Sequence, residues 1–309
     1  MSTRVVVVGS LSVDFVMRVP YRPQKGETVA GFDFNTFVGG KGNNQALAAA
    51  KAGAPVIMVG RVGADEYGER IAANLRDYGV NTQYLIHDRD AGTGIANIYV
   101  DPEGDNSIII VTRANSNVCH EDVVAASTAI AESSILLLQL EIPIAAVVSA
   151  AQVARKAGLT VILNPAPAPP DGKLPAELLQ CVDIIAPNQT EAELLTGVKV
   201  TDAESAGRAA AKLKESGVGN VIITMGEAGA FMCDSLGATE MLPSFSVKAV
   251  DTTAAGDAFC GALAAALLQD HHLPQAIRRG CAAGALACTK HGAAPSLPSQ
   301  AEIHELMQV

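Results

Sequence analysis

The chain has 309 residues, a formal net charge of -10, and 49% hydrophobic against 17% charged residues. That composition predicts a globular protein with a sizeable core, and its acidity argues against nucleic acid or an anionic membrane as the main partner, because both require basic patches. No apolar stretch approaches the roughly 20 residues of a membrane span, no targeting segment is visible, and six scattered cysteines form no CxxC pair, so the expectation is a reduced, cytoplasmic protein without zinc.

Short branched runs at 5–8, 56–59, 135–138, 161–163, 184–185 and 221–224 alternate with helical patterns over 42–52, 66–78, 121–132, 144–157, 202–216 and 257–268. Strands apolar on both faces need helices on both sides. The pattern therefore predicts an α/β fold, a central mostly parallel sheet flanked by helices on both faces, with residues 1–309 as one domain. Gly53, Gly79, Gly158 and Gly217 follow four of the helices as stops. Two segments, about 14–37 and 93–113, alternate or pair across a turn such as Asp101-Pro102-Glu103-Gly104-Asp105. They predict a small antiparallel β lid at strand ends, where ligands of open α/β sheets bind; a sheet used for dimerisation alone is the plainer reading.

The chemistry-bearing motifs follow in chain order. The first strand leads into Gly9-Ser10-Leu11-Ser12-Val13-Asp14, with one glycine where a dinucleotide fingerprint needs three, which disfavours a Rossmann dehydrogenase. Gly39-Gly40-Lys41-Gly42-Asn43-Asn44-Gln45 combines glycines for close approach with a cation and three amides. Without Ser or Thr after the lysine it suits a polyol better than a triphosphate, unless it is a glycine turn with a solvated lysine. Asp14 and Glu141 fall just past strand ends, where a carboxylate accepts hydrogen bonds from sugar hydroxyls or is an ordinary loop acid.

Pro187-Asn188-Gln189-Thr190-Glu191 puts an amide and a carboxylate at the opening of a helix, a set that suits magnesium through water and equally suits a helix cap. Thr224-Met225-Gly226-Glu227-Ala228-Gly229 ends a strand in a turn able to lie along a nucleotide. Finally, Asp251-Thr252-Thr253-Ala254-Ala255-Gly256-Asp257 opens an apolar, small-residue helix. Free first-turn amides at Ala254, Ala255 and Gly256 attract phosphate oxygens. Asp257 either caps that helix or holds the hydroxyl that attacks the phosphate, and the second reading gives phosphoryl transfer to an alcohol.

These motifs, with Asn164-Pro165-Ala166-Pro167-Ala168, resemble in order and spacing the ribokinase family of sugar and nucleoside kinases over nearly the whole chain. The resemblance implies ATP-dependent phosphorylation of D-ribose at its 5-hydroxyl. Kinases for deoxyribose, fructose, 2-keto-3-deoxygluconate or a nucleoside are alternatives, and a catalytically inert sugar-binding regulator is a distant one. It further implies Asp257 as general base and the backbone of 254–257 as anion hole. Ser12, Asp14, Gly40, Lys41, Asn44 and Glu141 would hold the sugar; Asn188, Thr224, Gly226, Gly229 and Gly256 would hold ATP; Glu191 would order Mg2+ through water. A potassium ion would sit among Asp251, Thr253, Ala287, Lys290, Gly292 and Ser296, and two chains would pair as a homodimer through the lid. Ser12, Asn43 and Gln189 depart from the family's pattern, and the first two touch the sugar side, leaving open which pentose is preferred.

Overall fold

A computed structural model describes residues 4–103 and 105–308; Met1, Ser2, Thr3, Gly104 and Val309 lie outside them. In chain order the strands are β1 (Val5–Val8), β2 (Ser12–Arg18), β3 (Asp33–Gly39), β4 (Val56–Gly63), β5 (Asn81–Asp88), β6 (Gly94–Val100), β7 (Asn106–Val111), β8 (Ile135–Leu138), β9 (Thr160–Leu163), β10 (Ile184–Ile185), β11 (Asn220–Thr224), β12 (Ala230–Cys233) and β13 (Thr239–Leu242). The helices are α1 (Lys41–Lys51), α2 (Glu66–Asp77), α3 (His120–Ala125), α4 (Ser127–Ala131), α5 (Ile144–Ala157), α6 (Ala176–Leu179), α7 (Gln189–Thr196), α8 (Ala203–Glu215), α9 (Ala255–Leu268), α10 (Leu273–Ala287) and α11 (Gln300–Met307).

Nine strands form one sheet in the order β13-β12-β11-β10-β9-β8-β1-β4-β5. The strands from β11 to β5 in that order pair in parallel, and the edge hairpin β12–β13 is antiparallel. The continuous valine run of β1 exists because the strand is buried on both sides. Val5 and Val7 join Leu47, Leu263 and Ile277 in one core, while Val6 and Val8 join Ile130, Val147 and Leu213 in the other. Each such side chain contributes about 1.5–3 kcal/mol of burial.

Register decides where chemistry can gather. Val8 lies opposite Val59 and Leu138, and Leu163 lies opposite Leu138 and Ile185. The strands therefore end at one level, and the residues after them, Ser10, Gln139, Glu141, Asn164 and Asn188, emerge along a single carboxyl edge, the binding edge of an open α/β sheet.

The second sheet has the order β3-β2-β6-β7 and stands over that edge. Its two hairpin-like pairs, β2–β3 and β6–β7, are antiparallel, as the alternation predicts, and they are joined through a parallel pairing of β2 with β6. Sequence-local patterns report only the antiparallel pairs, because the parallel one links strands separated by β3, α1, β4, α2 and β5.

Helix α9 packs hard against α1. A Cβ at Gly261 would meet Ala48 Cβ at 2.4 Å and the Ala49 nitrogen at 2.7 Å, so only glycine allows this approach. That contact brings the first turn of α9 beside the first turn of α1.

Candidate active site

Ten consecutive residues of α9, Asp257 to Ala266, are buried, so the helix is apolar on every side and only its amino end reaches the cleft. Ala254 sits at the N-cap with φ 61°, the left-handed conformation that costs a non-glycine residue about 1–2 kcal/mol. No side chain caps the helix. A Cβ built on Gly256 would meet nothing within 4 Å, so there is open space beside this residue, and the neighbouring Ala255 amide makes only a long bond, 3.3 Å, to the Thr252 carbonyl. The result is an uncapped helix amino terminus, a ready anion site.

Asp257 is 5% exposed, in that same turn. Its Oδ2 accepts from Asn44 Nδ2 at 3.0 Å and its Oδ1 from Gln45 Nε2 at 2.9 Å, both amides belonging to the start of α1. Burial pushes its pKa up; Lys41 and the two amides oppose that push, and Glu141 adds to it. Pure capping, one of the two readings open in the sequence, does not describe this side chain: its partners are on another helix.

Lys41 begins α1 after Gly40, whose φ of 89° and close approach to Leu11 Cα, 2.8 Å from a would-be Cβ, admit only glycine. Burial lowers the lysine's pKa, but Asp257, Glu141 and Glu191 together carry it above its usual value, so the ammonium stays charged. Glu141 Oε2 accepts from Ser10 Oγ at 2.5 Å and from the Lys41 amide at 3.0 Å. Asp14, on β2, accepts from Ser12 Oγ at 3.1 Å. Burial first, then Glu141 and Asp257, push its carboxyl up to about 6, against the Ser12 hydrogen bond and Lys41.

Ser12, Asp14, Gly40, Lys41, Asn44, Glu141 and Asp257 all line one cavity of about 530 Å³, roofed by Ala96, Ile98, Ile108 and Ile110 of the small sheet. A second cavity of about 540 Å³ lies on the other side of the α9 amino end, lined by Thr224, Gly226, Gly229 and Gly256. Its walls include Phe245, Val247, Cys281 and Gly284. Sequence reading missed these wall residues, which come from an irregular segment and from α10 and carry no motif. A space of about 180 Å³ connects the two: it shares Lys41, Ala254 and Asp257 with the first cavity and Thr224, Ala255 and Gly256 with the second.

Asn188 and Glu191 form a reciprocal cap on α7: Asn188 Oδ1 accepts from the Glu191 amide at 2.8 Å, and Glu191 Oε2 accepts from the Asn188 amide at 2.9 Å. Both also line the connecting space, so the cap and the cleft positions coincide. Gln189 instead donates to the Val200 carbonyl.

The Asp251 carboxylate ties its own loop to a distant one. Oδ1 accepts from the Thr253 amide and hydroxyl at 2.9 and 2.6 Å, and Oδ2 from the Gly292 amide at 2.9 Å. Burial acts to raise its pKa, and these bonds hold it below the usual value. Lys290 turns its ammonium to Glu302 at 2.9 Å, and Ser296 donates to the Ala293 carbonyl. Ala287 is buried at the end of α10. Of the six positions named for a potassium ion, the side chains of Asp251 and Thr253 and the backbone of Gly292 are brought into direct contact.

The chain matches the pattern described as pfkB family carbohydrate kinase over residues 2–300. It is 41% identical over 308 residues to a ribokinase of Haemophilus influenzae, covering 100% of this chain and 99% of that one. It is 35% identical over 305 residues to a deoxyribokinase of Salmonella typhimurium, covering 99% of each. A crystal structure of Arabidopsis thaliana ribokinase with ribose and ATP superimposes with a TM-score of 0.92 at 33% identity, covering 100% of both chains.

Proposed function

We propose that this chain, which belongs to the pfkB family of carbohydrate kinases, transfers the γ-phosphate of ATP to the 5-hydroxyl of D-ribose, giving D-ribose 5-phosphate. The observation that carries this reading is the arrangement at α9: one buried carboxylate and an uncapped helix amino end stand between two cavities joined by a narrow space. Asp257 takes the proton from the sugar hydroxyl as that oxygen attacks phosphorus. The amides of Ala254, Ala255, Gly256 and Asp257 stabilise the charge on the transferring phosphoryl oxygens, and Lys41 adds a cation beside them.

Asp14, Glu141, Asn44, Ser12 and the Gly40 backbone hold the sugar hydroxyls. Asn188, Thr224, Gly226, Gly229 and Gly256 take the nucleotide, whose base suits the partly apolar second cavity. Glu191 fits a hard cation: it is a carboxylate at the connecting space, pushed up by burial, and it faces Lys41 and Asp257. Bound there through water, Mg2+ would neutralise phosphate charge. Potassium fits the loop of Asp251, Thr253, Ala287, Lys290, Gly292 and Ser296 through backbone carbonyls and the single carboxylate, since the Lys290 ammonium points elsewhere. The small sheet closes over the sugar and limits ATP hydrolysis by excluding water. Apolar side chains left exposed on it, among them Phe34, Ile108 and Ile109, support pairing of two chains through the lid, and a monomer by sedimentation would overturn that pairing. Six free cysteines support work in the reducing cytoplasm.

Product analysis with a panel of ribose, 2-deoxyribose, fructose and nucleosides tests the reading. Ribose 5-phosphate from ribose, formed faster than any other product, is expected; a faster reaction on another acceptor would reassign the substrate.

Two further outcomes follow from the electrostatics. Because Asp14 is pushed up to about 6, it is ionised and accepting above that pH and protonated below it. The KM for ribose should therefore rise as pH falls through 6, by about tenfold per unit once protonation dominates, and Asp14→Asn should remove the pH dependence. A KM flat from pH 5 to 8 in the unmodified protein would contradict this. Exchanging potassium for sodium or lithium should slow turnover, since the Asp251 loop that borders the anion site would be less well ordered. Equal rates in the three salts would remove the cation role.

A further inference from the structure

Asp257 is held by an amide whose own direction is set two hydrogen bonds away. Gln45 is fully buried on α1 and donates from Nε2 to Asp257 Oδ1 at 2.9 Å and to Asn164 Oδ1 at 3.1 Å. Its Oε1 accepts from Gln139 Nε2 at 2.8 Å. Asn164, just past β9, donates from Nδ2 to the Ala186 carbonyl at 2.9 Å. An amide side chain is ambiguous, able to present oxygen or N–H to a neighbour. A backbone carbonyl is not: it only accepts.

Ala186 therefore fixes Asn164 with its oxygen toward Gln45, and Asn164 in turn draws the Gln45 N–H groups toward itself and Asp257. Gln139, also fully buried just past β8, clamps the other end. Its Oε1 has no partner among the described residues, so its orientation is kept in spite of a stranded acceptor. Were Gln45 reversed, its oxygen would face Asp257 Oδ1, repel the carboxylate and favour the protonated acid instead.

We propose that Gln45, Gln139 and Asn164 are positioning residues, a polarised chain of amides anchored on the Ala186 carbonyl that aims an N–H at Asp257 Oδ1 and so holds this side chain as a hydrogen-bond acceptor. The inference rests on Asp257 being the base assigned above. The charged and titratable groups that share its field are Lys41 on α1, Asp14 on β2, Glu141 after β8, Glu191 on α7 and Cys260 on α9. Burial acts to protonate Asp257, and the relay works against it.

The test is kcat against pH from 5 to 9, at saturating ribose and ATP so that Asp14 is occupied, for the unmodified protein, Gln139→Met and Asn164→Ala. In both variants the acid limb should move up by about one unit, with kcat down by up to about tenfold at pH values below the limb of both proteins and converging with the unmodified protein on the alkaline plateau. KM for ribose should change little. An unmoved limb in folded variants, or a loss by the same factor at every pH, would overturn the relay while leaving the kinase reading intact. Failure of the unmodified protein to make ribose 5-phosphate would instead overturn the kinase reading. If Gln139→Met does not fold, Asn164→Ala and Gln45→Met carry the same comparison.

Discussion

Asp257→Asn is expected to lower kcat by about a hundredfold or more while the affinities for ribose and ATP change by no more than a few fold. The substitution keeps the shape and removes the carboxylate proposed to take the hydroxyl proton. Both carboxylate oxygens accept amide N–H bonds, so the Asn side chain must turn its own N–H toward one of these donors unless Asn44 reverses. That mismatch costs about 1 kcal/mol, and relief of a buried charge offsets it. Stability should therefore stay near that of the parent, and the loss should appear in turnover. Calorimetric titration with ribose, together with kcat at saturating substrates, separates the two. Turnover like that of the parent would refute the assignment of the base.

Lys41→Met should cost about a hundredfold to a thousandfold in kcat/KM, the scale of removing one preorganised charge from a phosphoryl-transfer site. Among the charged residues that line the sugar cavity, Asp14, Glu141 and Asp257 are carboxylates and Lys41 is the one cation. Its ammonium lowers the pKa of Asp14, Glu191 and Asp257 alike. Losing it takes the cation away from the incoming phosphate and drives the remaining carboxylates toward protonation, so the acid limb of the pH profile should also move up. Lys41→Arg is not expected to restore the rate, because a planar fork does not replace a compact ammonium in this half-buried position. A kcat/KM within threefold of the parent for Lys41→Met would contradict the role.

The parallel sheet was legible because its strands are buried on both faces, which leaves runs such as Val5–Val8 and Ile135–Leu138 without a single polar residue. Edge strands carry no such mark. Ala230–Cys233 and Thr239–Leu242 are four residues each and pair antiparallel around Asp234-Ser235-Leu236-Gly237, and neither was read from sequence. The Asp251 to Asp257 segment pointed to an anion site through its small residues and the apolar helix behind it. What it could not announce was the company Asp257 keeps.

Gln45, Gln139 and Asn164 read as loop and strand-end polar residues; their burial is a tertiary fact, produced by α9 closing on α1 at Gly261 and by the common level at which β8 and β9 end. Asn188 and Glu191 illustrate the converse. Capping and ligand chemistry use the same residue pair at the same spacing, so sequence alone left both open, and the reciprocal cap is present at a position that also borders the cleft.

The most direct measurement is a crystal structure with ribose and a non-hydrolysable ATP analogue bound. A carboxylate oxygen of Asp257 should lie about 2.6–3.2 Å from the sugar's 5-oxygen, with the terminal phosphate over the amides of Ala255 and Gly256. A 5-oxygen bound out of reach of Asp257, or a phosphate held away from the amino end of α9, would contradict the account.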